Sequence, residues 1–227
     1  MCGRFTLTAD LERVEERFSF RRAAKVAFTP RYNIAPSQSV LAVLNDGEER
    51  RAGLLRWGLI PSWAKDEAVG NRMINARAET LAEKPSFKRA LQKRRCLVVA
   101  DGFYEWKAGG KKKTPMFIAL RSREPFGFAG LWETWKAPDG EAVQSCTIIT
   151  TTPNALMESI HNRMPVILAQ DAWATWLGET DAGPEQLQAV CKPFPSDRMI
   201  SWAVTPRVGN VKNTDAGLVE PLPEAAE

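Results

Sequence analysis

The sequence predicts a single α+β domain made of many short strands and a few short helices. Most apolar runs are short and are bounded by turn residues, such as Asn45-Asp46-Gly47 and Gly109-Gly110, which is typical of strands joined by tight turns. A few other windows place apolar residues at helical spacing. Because the 227 residues contain no repeat, linker or low-complexity segment, we assign residues 1–222 to one domain and residues 223–227 to a frayed tail.

The first predicted element is a helix that begins at Thr8. Thr8 is a suitable N-cap, and Leu11, Val14 and Phe18 fall on one face of the helix. A loop that contains Asn33 follows, because prolines on both sides of it favour irregular backbone.

The remaining elements follow from apolar strand patterns and from capped helical spacing. Predicted strands are residues 40–44, 52–60, 96–100, 103–106, 116–120, 126–135, 145–151, 161–168 and 200–204. Predicted helices are residues 85–94, 153–160, 171–177 and 184–191, with Pro153 as the first residue of the second one. The lysines at 111–113 are expected at a solvated hairpin tip.

Composition argues against several classes of protein. No apolar run reaches the roughly 18 residues that a membrane span needs, and the first residues lack the apolar core of a secretion signal. The four cysteines are far apart and there is one histidine, so we predict no metal and no cofactor. Free thiols fit a reducing cytoplasm. The net charge of +4 is too small to indicate nucleic-acid binding by itself.

Cys2 is the first candidate for covalent chemistry. Removal of Met1 would leave Cys2 with an α-amine and a thiol on adjacent carbons. The α-amine has a pKa of roughly 8, so a useful fraction is neutral and can attack an aldehyde to give a Schiff base. The thiol can then close on the imine as a five-membered thiazolidine. Position alone favours an ordinary small residue near a terminus.

Three other side chains can hold or transfer protons. His161 is the only histidine, and a histidine side chain titrates near neutral pH. Glu105 lies between Tyr104 and Trp106, where desolvation would raise the carboxyl pKa, although strand alternation can also point it to solvent. Asn75 offers a donor and an acceptor, or a simple turn or cap role.

Binding of a single strand needs positive charge and flat stacking surfaces. The eight tryptophans provide either stacking surface or core volume, and three of them, Trp57, Trp63 and Trp106, lie near basic residues in the sequence. The basic candidates are Arg4, Arg77, Lys88, Arg89, Arg94, Arg95 and Arg163.

Several segments taken together resemble one known family. In order they read MCGRFT, WGLIPSWAKD, NARAET, RRCLVVADGFYEW and TTPNALMESIHNRMPVIL, with VGNVKNTDAGLVEP near the C-terminus. This set covers nearly the whole chain and resembles the SOS-response-associated peptidase family, the abasic-site processing proteins. Val99 departs from the pattern, since many relatives have proline there, but it lies in a predicted strand outside the matched catalytic positions.

The resemblance implies a fold of curved antiparallel sheets that form a partly open barrel with flanking short helices. It implies that Cys2 is the covalent nucleophile, that Asn75 holds the sugar-derived part of the adduct, and that Glu105 and His161 transfer protons. The predicted DNA contacts are Arg4, Arg77, Trp106 and Arg163 from the resemblance, and Trp63 as an aromatic side chain near basic residues.

The implied function is capture of abasic sites in single-stranded DNA as a thiazolidine cross-link, by lyase-like Schiff-base chemistry. We expect a cytoplasmic monomer that joins the nucleoid when it is bound to DNA. Two other classes stay open at this point. A Cys-dependent peptidase, acting at least on its own Met1, uses the residue types Cys, His and Asn. A non-catalytic reader of single strands or modified bases would bind DNA and tolerate Cys2→Ala.

Overall fold

The computed structural model of the protein describes residues 2–22, 29–109 and 112–223. Its strands are β1 (Arg4–Leu7), β2 (Arg21–Arg22), β3 (Arg31–Ile34), β4 (Ser39–Asn45), β5 (Arg50–Trp57), β6 (Asn75–Arg77), β7 (Arg95–Ala100), β8 (Gly102–Lys107), β9 (Thr114–Leu120), β10 (Phe126–Lys136), β11 (Ala142–Thr151), β12 (Met164–Pro165), β13 (Ile167–Leu168) and β14 (Met199–Ala203). Its α-helices are α1 (Leu11–Phe18), α2 (Pro85–Lys93), α3 (Ala155–Glu158), α4 (Trp173–Leu177) and α5 (Pro184–Val190).

Five of these strands close into a barrel. β11, β10, β7, β4 and β5 follow one another with antiparallel pairing, and β5 returns to β11 through a parallel contact. The closing contact consists of Ser145 with Arg56 and Cys146 with Trp57. Farther along its length, β11 pairs with β6 and β12 instead. The barrel is therefore open along part of this seam, which is where two of the sequence motifs meet.

A second, fully antiparallel sheet lies against the barrel in the order β14-β9-β8-β1-β3. Phe5 on β1 anchors this sheet, because its buried ring lies 5.1 Å from the ring of Trp57 and 5.8 Å from that of Phe128 on the barrel. Burial of a large aromatic side chain contributes on the order of 1.5–3 kcal/mol. Phe5 thus fixes where the N-terminal residues enter the molecule.

The helices are short; α2 packs on the barrel strands β7 and β10, and α4 packs on β7. Phe18 at the end of α1 stacks on Trp173 of α4 with ring centroids 4.4 Å apart. α2 begins at Pro85, where a missing backbone N–H costs nothing. Among the described residues, no helix is both long and apolar enough to cross a membrane.

The predicted α+β class and barrel are confirmed. The predicted strands from residue 40 to residue 151 are all present, with ends shifted by up to three residues. The helices predicted at 85–94, 171–177 and 184–191 also form as α2, as α4 with the turn before it, and as α5.

Two helix starts were predicted wrongly. Asp10 rather than Thr8 caps α1, and its side chain accepts a hydrogen bond from Arg13 N at 2.8 Å. Thr8 instead donates through its backbone N and its Oγ1 to the carboxylate of Asp101. α3 begins at Ala155 and not at Pro153, because Asn154 is its N-cap.

Other differences concern short strands. The predicted loop around Asn33 contains β3, and the strand predicted over 161–168 is two shorter strands, β12 and β13. The strand predicted over 52–60 ends at Trp57, since Gly58 adopts a positive φ of 125°. The strands β1, β2 and β6 were not predicted, because runs of two to four residues carry little periodicity. Lys111 and most of the predicted frayed tail lie outside the described residues.

Candidate active site

β1 brings Cys2 beside the strand that carries Glu105. β1 and β8 run antiparallel with Arg4 opposite Tyr104, so the residues that precede Arg4 lie alongside those that follow Tyr104. Cys2 is fully buried. Burial raises the pKa of its thiol, and the negative charge of Glu105 raises it further. The thiol therefore stays protonated until a base removes its proton.

Glu105 is buried in the middle of β8, with 2% of its surface exposed. The solvent-facing orientation that strand alternation allowed is therefore wrong. Burial raises the pKa of the Glu105 carboxyl, while the nearby His161 acts in the opposite direction. Cys2 thus interacts electrostatically with Glu105, and Glu105 with His161. The three side chains form one group.

Asn75 lies on β6, at the open part of the barrel seam. β6 runs parallel to β11, with Asn75 opposite Ile148. Its Nδ2 donates to Ile74 O at 3.0 Å and to Ile148 O at 3.4 Å, whereas its Oδ1 is buried and has no partner among the described residues. A buried acceptor without a donor costs about 1–3 kcal/mol. Such an atom points to a ligand that supplies the missing donor.

His161 and Arg163 follow α3 and reach the same end of β11. β12 pairs there with β11 through Thr150–Pro165 and Thr151–Met164. The Arg163 guanidinium donates to Thr150 O at 2.7 Å, and Thr150 is also the strand partner of Arg77. The motifs NARAET and IHNRMP thus converge on one strand end.

The three arginines that were predicted to contact DNA differ in the hydrogen bonds and ion pairs that they already make within the protein. Arg4 Nη1 donates to Asn33 Oδ1 at 3.1 Å and to Val208 O at 2.8 Å, and burial lowers the Arg4 pKa. Arg163 is paired with Glu79. Arg77, in contrast, is exposed beside Asn75. The structure thus leaves Arg77 as the guanidinium most accessible to a phosphate.

The other basic candidates fall into two groups. Arg94 pairs with Glu133, and Arg95 donates to the carbonyl oxygens of Trp176, Leu91 and Gln92. Both therefore hold the barrel and α2 together. Lys88 and Arg89 are exposed on α2.

The aromatic candidates also occupy different environments. Trp63 is 64% exposed, which is unusual for so large an apolar side chain. Trp106 is half-buried against the small core formed by Tyr104 and Phe117, and Trp57 is fully buried in the barrel. Trp63 thus offers an open ring face for stacking, Trp106 offers part of one, and Trp57 is a core residue.

Three residues of the site region were missed by sequence reasoning. Thr150 and Glu79 hold Arg163, and Asn33 holds Arg4. Glu79 is part of the NARAET segment that was singled out for Asn75, so its motif was visible although its role was not. Contacts across 84 residues, such as Arg163 with Glu79, leave no local signal.

A cleft on another part of the described surface lies apart from these residues. It has a volume of about 590 Å³, lies beside Asp10, Arg13, Asp101 and Trp202, and includes none of the predicted catalytic residues. Within the part of the chain that the structure describes, no group of three or more His, Cys, Asp or Glu side chains is arranged to hold a metal ion.

Comparisons with known proteins agree on one family. The family model described as SOS response associated peptidase (SRAP) matches residues 1–211. The abasic site processing protein YoqW of Bacillus subtilis is 49% identical over 97% of this chain and 99% of its own. The abasic site processing protein YoaM of the same organism is 48% identical over 97% and 98%. An X-ray crystal structure of a protein from Bacteroides thetaiotaomicron superposes with a TM-score of 0.89 at 26% identity, over 97% of this chain and 100% of that one.

Proposed function

The chain belongs to the SOS response associated peptidase family, and from this membership we propose that it captures abasic sites in single-stranded DNA through Cys2. The curated relatives are named abasic site processing proteins, which supports damaged DNA as the substrate. The observation that carries the proposal is the group formed by buried Cys2, buried Glu105 and half-buried His161, in which each residue alters the electrostatics of the next.

The reaction begins at the sugar. An abasic deoxyribose is mostly a closed hemiacetal, so the aldehyde must first be released by ring opening. Burial raises the pKa of Glu105, so its carboxyl keeps a proton to higher pH than an exposed glutamate does. We assign to it the transfer of that proton to the ring oxygen, which breaks the ring C–O bond, while the hydroxyl on the same carbon loses its own proton to water and becomes the aldehyde oxygen. The unpaired Oδ1 of Asn75 would then accept a hydrogen bond from a sugar hydroxyl.

The cross-link forms in two steps once Met1 has been removed. The Cys2 amine adds to the aldehyde carbon and water is lost, which leaves an imine. The thiol sulfur then bonds to that carbon, and its proton passes to the imine nitrogen by way of ionised Glu105, while His161 donates a hydrogen bond to the reacting groups. The product is a thiazolidine whose mass is that of protein plus DNA less one water. Without a free aldehyde, the strand is protected from β-elimination.

A general Cys peptidase fits the site less well. Its nucleophile is a thiolate, and burial raises the pKa of the Cys2 thiol. Attack by an amine needs no thiolate in its first step. The proposal therefore limits peptidase activity to the removal of Met1.

The basic test is a denaturing gel of the protein after incubation with an abasic single-stranded oligonucleotide. We expect a heat-stable band of protein plus DNA, and none with the same oligonucleotide carrying an intact thymidine. A matched abasic duplex should react far less, because pairing hides the sugar and the stacking faces. Equal yields from abasic and intact strands would rule out aldehyde chemistry.

The exposure of Arg77 leads to a prediction about salt. Each phosphate contact on a single strand contributes a slope of roughly −0.7 to log affinity against log salt. We expect Arg77→Ala to flatten the slope by about that amount. Arg4→Ala should leave the slope unchanged, because the Arg4 guanidinium is bound by Asn33 and Val208 within the protein.

The measurement is fluorescence anisotropy across a salt series, with intact single-stranded DNA so that no cross-link forms. Lys192, which is exposed just after α5, provides the control substitution Lys192→Ala with the same charge change. A flatter slope for Arg4→Ala than for Arg77→Ala would contradict this assignment.

A further inference from the structure

Glu79 forms a two-point ion pair with Arg163, which follows His161 by two residues. Its Oε1 accepts from Arg163 Nη1 at 2.7 Å and its Oε2 accepts from Nη2 at 2.9 Å. This parallel arrangement is the most directional pairing that arginine makes with a carboxylate. Because Nη2 also donates to Thr150 O at 2.7 Å, the guanidinium is fixed between the turn that follows β6 and the end of β11.

The backbone of Arg163 in turn fixes the His161 ring. Its N–H donates to His161 Nδ1 at 3.0 Å. Arg163 O lies 3.2 Å from the same nitrogen, but Nδ1 cannot donate to that oxygen while it accepts from the amide, and an amide N–H can only donate. Nδ1 therefore carries the lone pair, and the neutral ring carries its proton on Nε2. The basic lone pair of the neutral ring is then occupied, and the ring presents Nε2–H as a hydrogen-bond donor.

We infer that Glu79 is a positioning residue, which holds His161 in the Nε2–H form by fixing Arg163. The inference deepens the proposed function and rests on it for the reaction that the ring serves. Without the carboxylate, the Arg163 side chain keeps only its bonds to Thr150. The turn 161–163 can then rotate, and the amide no longer has to face Nδ1.

The exposure of the pair separates this role from a purely structural one. The side chain of Glu79 is 46% exposed and that of Arg163 is 14% exposed, so solvent screens the carboxylate and reduces what it contributes to global stability. The bond from Arg163 lowers the Glu79 pKa, with a smaller effect from the charge of Arg77, so the carboxylate stays ionised at neutral pH. Loss of Glu79 should therefore appear at His161 and hardly at all in the melting temperature.

The single histidine makes this testable by NMR. In protein without a His tag, the imidazole ¹⁵N signals come from His161 alone, and the two ring nitrogens of a neutral histidine have distinct shifts that report the tautomer. We expect the wild type to show the Nε2–H form and Glu79→Gln to show a mixture of both forms. Glu83→Gln, an exposed site with the same charge change, should match the wild type.

Cross-linking rates complete the test. If general acid–base catalysis is worth 10²–10⁴, partial misplacement of the ring should slow Glu79→Gln by roughly 10-fold at saturating abasic single strand. A pure Nε2–H ring in Glu79→Gln, or a wild-type rate, would overturn the inference. A changed tautomer in a protein whose wild type forms no adduct would instead reject the proposed function and leave the positioning role intact. If Glu79→Gln fails to fold, Arg163→Lys tests the same point, because it keeps the charge and the backbone N–H but cannot bind a carboxylate at two points.

Discussion

Cys2→Ala is expected to abolish the heat-stable adduct with abasic single-stranded DNA. The α-amine of the variant can still form an imine with the aldehyde, but without sulfur the five-membered ring cannot close. Imines hydrolyse readily, so the loss under denaturing conditions should be complete. The measurement is the fraction of labelled oligonucleotide that migrates with protein after heating, with borohydride trapping to reveal any remaining imine.

Cys191→Ala is the matched control for this prediction. Cys191 is a buried free thiol like Cys2, yet it lies at the end of α5 and not in the N-terminal segment. The control should form adduct at the wild-type level. A heat-stable adduct from Cys2→Ala in wild-type amount would contradict the thiazolidine and would also leave no reason to place Cys2 in the site.

Glu105→Gln is expected to slow cross-linking by roughly 10²–10⁴, the usual worth of a positioned acid or base. Glutamine has nearly the same shape and removes the proton that we assign to ring opening. Because Glu105 is buried and burial raises its pKa, the acid form persists to higher pH than it would for an exposed carboxyl. The wild-type rate should therefore fall as pH rises through that raised pKa, and this fall should vanish in Glu105→Gln.

The choice of substrate separates ring opening from later steps. An oligonucleotide that carries an acyclic aldehyde at the same position needs no ring opening. Glu105→Gln should lose much less on this substrate than on the natural abasic site, whereas His161→Ala should lose a similar factor on both if it acts mainly in ring closure. An equal loss on both substrates for Glu105→Gln would contradict the assignment of ring opening to this residue.

The fold was predictable where elements are long enough to show a pattern. The strand at 126–135 carries an apolar run from Phe126 to Trp132, and the helix at 85–94 has its own start signal in Pro85. β1 has only four residues, and its position depends on the contacts of Phe5 with Trp57 and Phe128, which no local pattern encodes. β1, which directs Cys2 into the site, was therefore not predicted from the sequence.

The chemistry of the site was more predictable than its charge arrangement. The motifs around Cys2, Asn75, Glu105 and His161 indicated which residue types are available, and their positions in the structure are compatible with those roles. The roles themselves remain proposals. The sequence did not distinguish Arg4, Arg77 and Arg163 as DNA contacts. In the structure, Arg4 bonds to Val208, 204 residues away, and Arg163 bonds to Glu79. Only folding shows which guanidinium is already engaged.

The most direct test of the central claim is the intact mass of the protein after reaction with an abasic single strand. The account predicts one new species, whose mass equals that of the protein lacking Met1 plus the oligonucleotide less one water, with the DNA mapped to Cys2 by peptide sequencing. An adduct that retains Met1, or one attached at any other residue, would contradict the aminothiol mechanism.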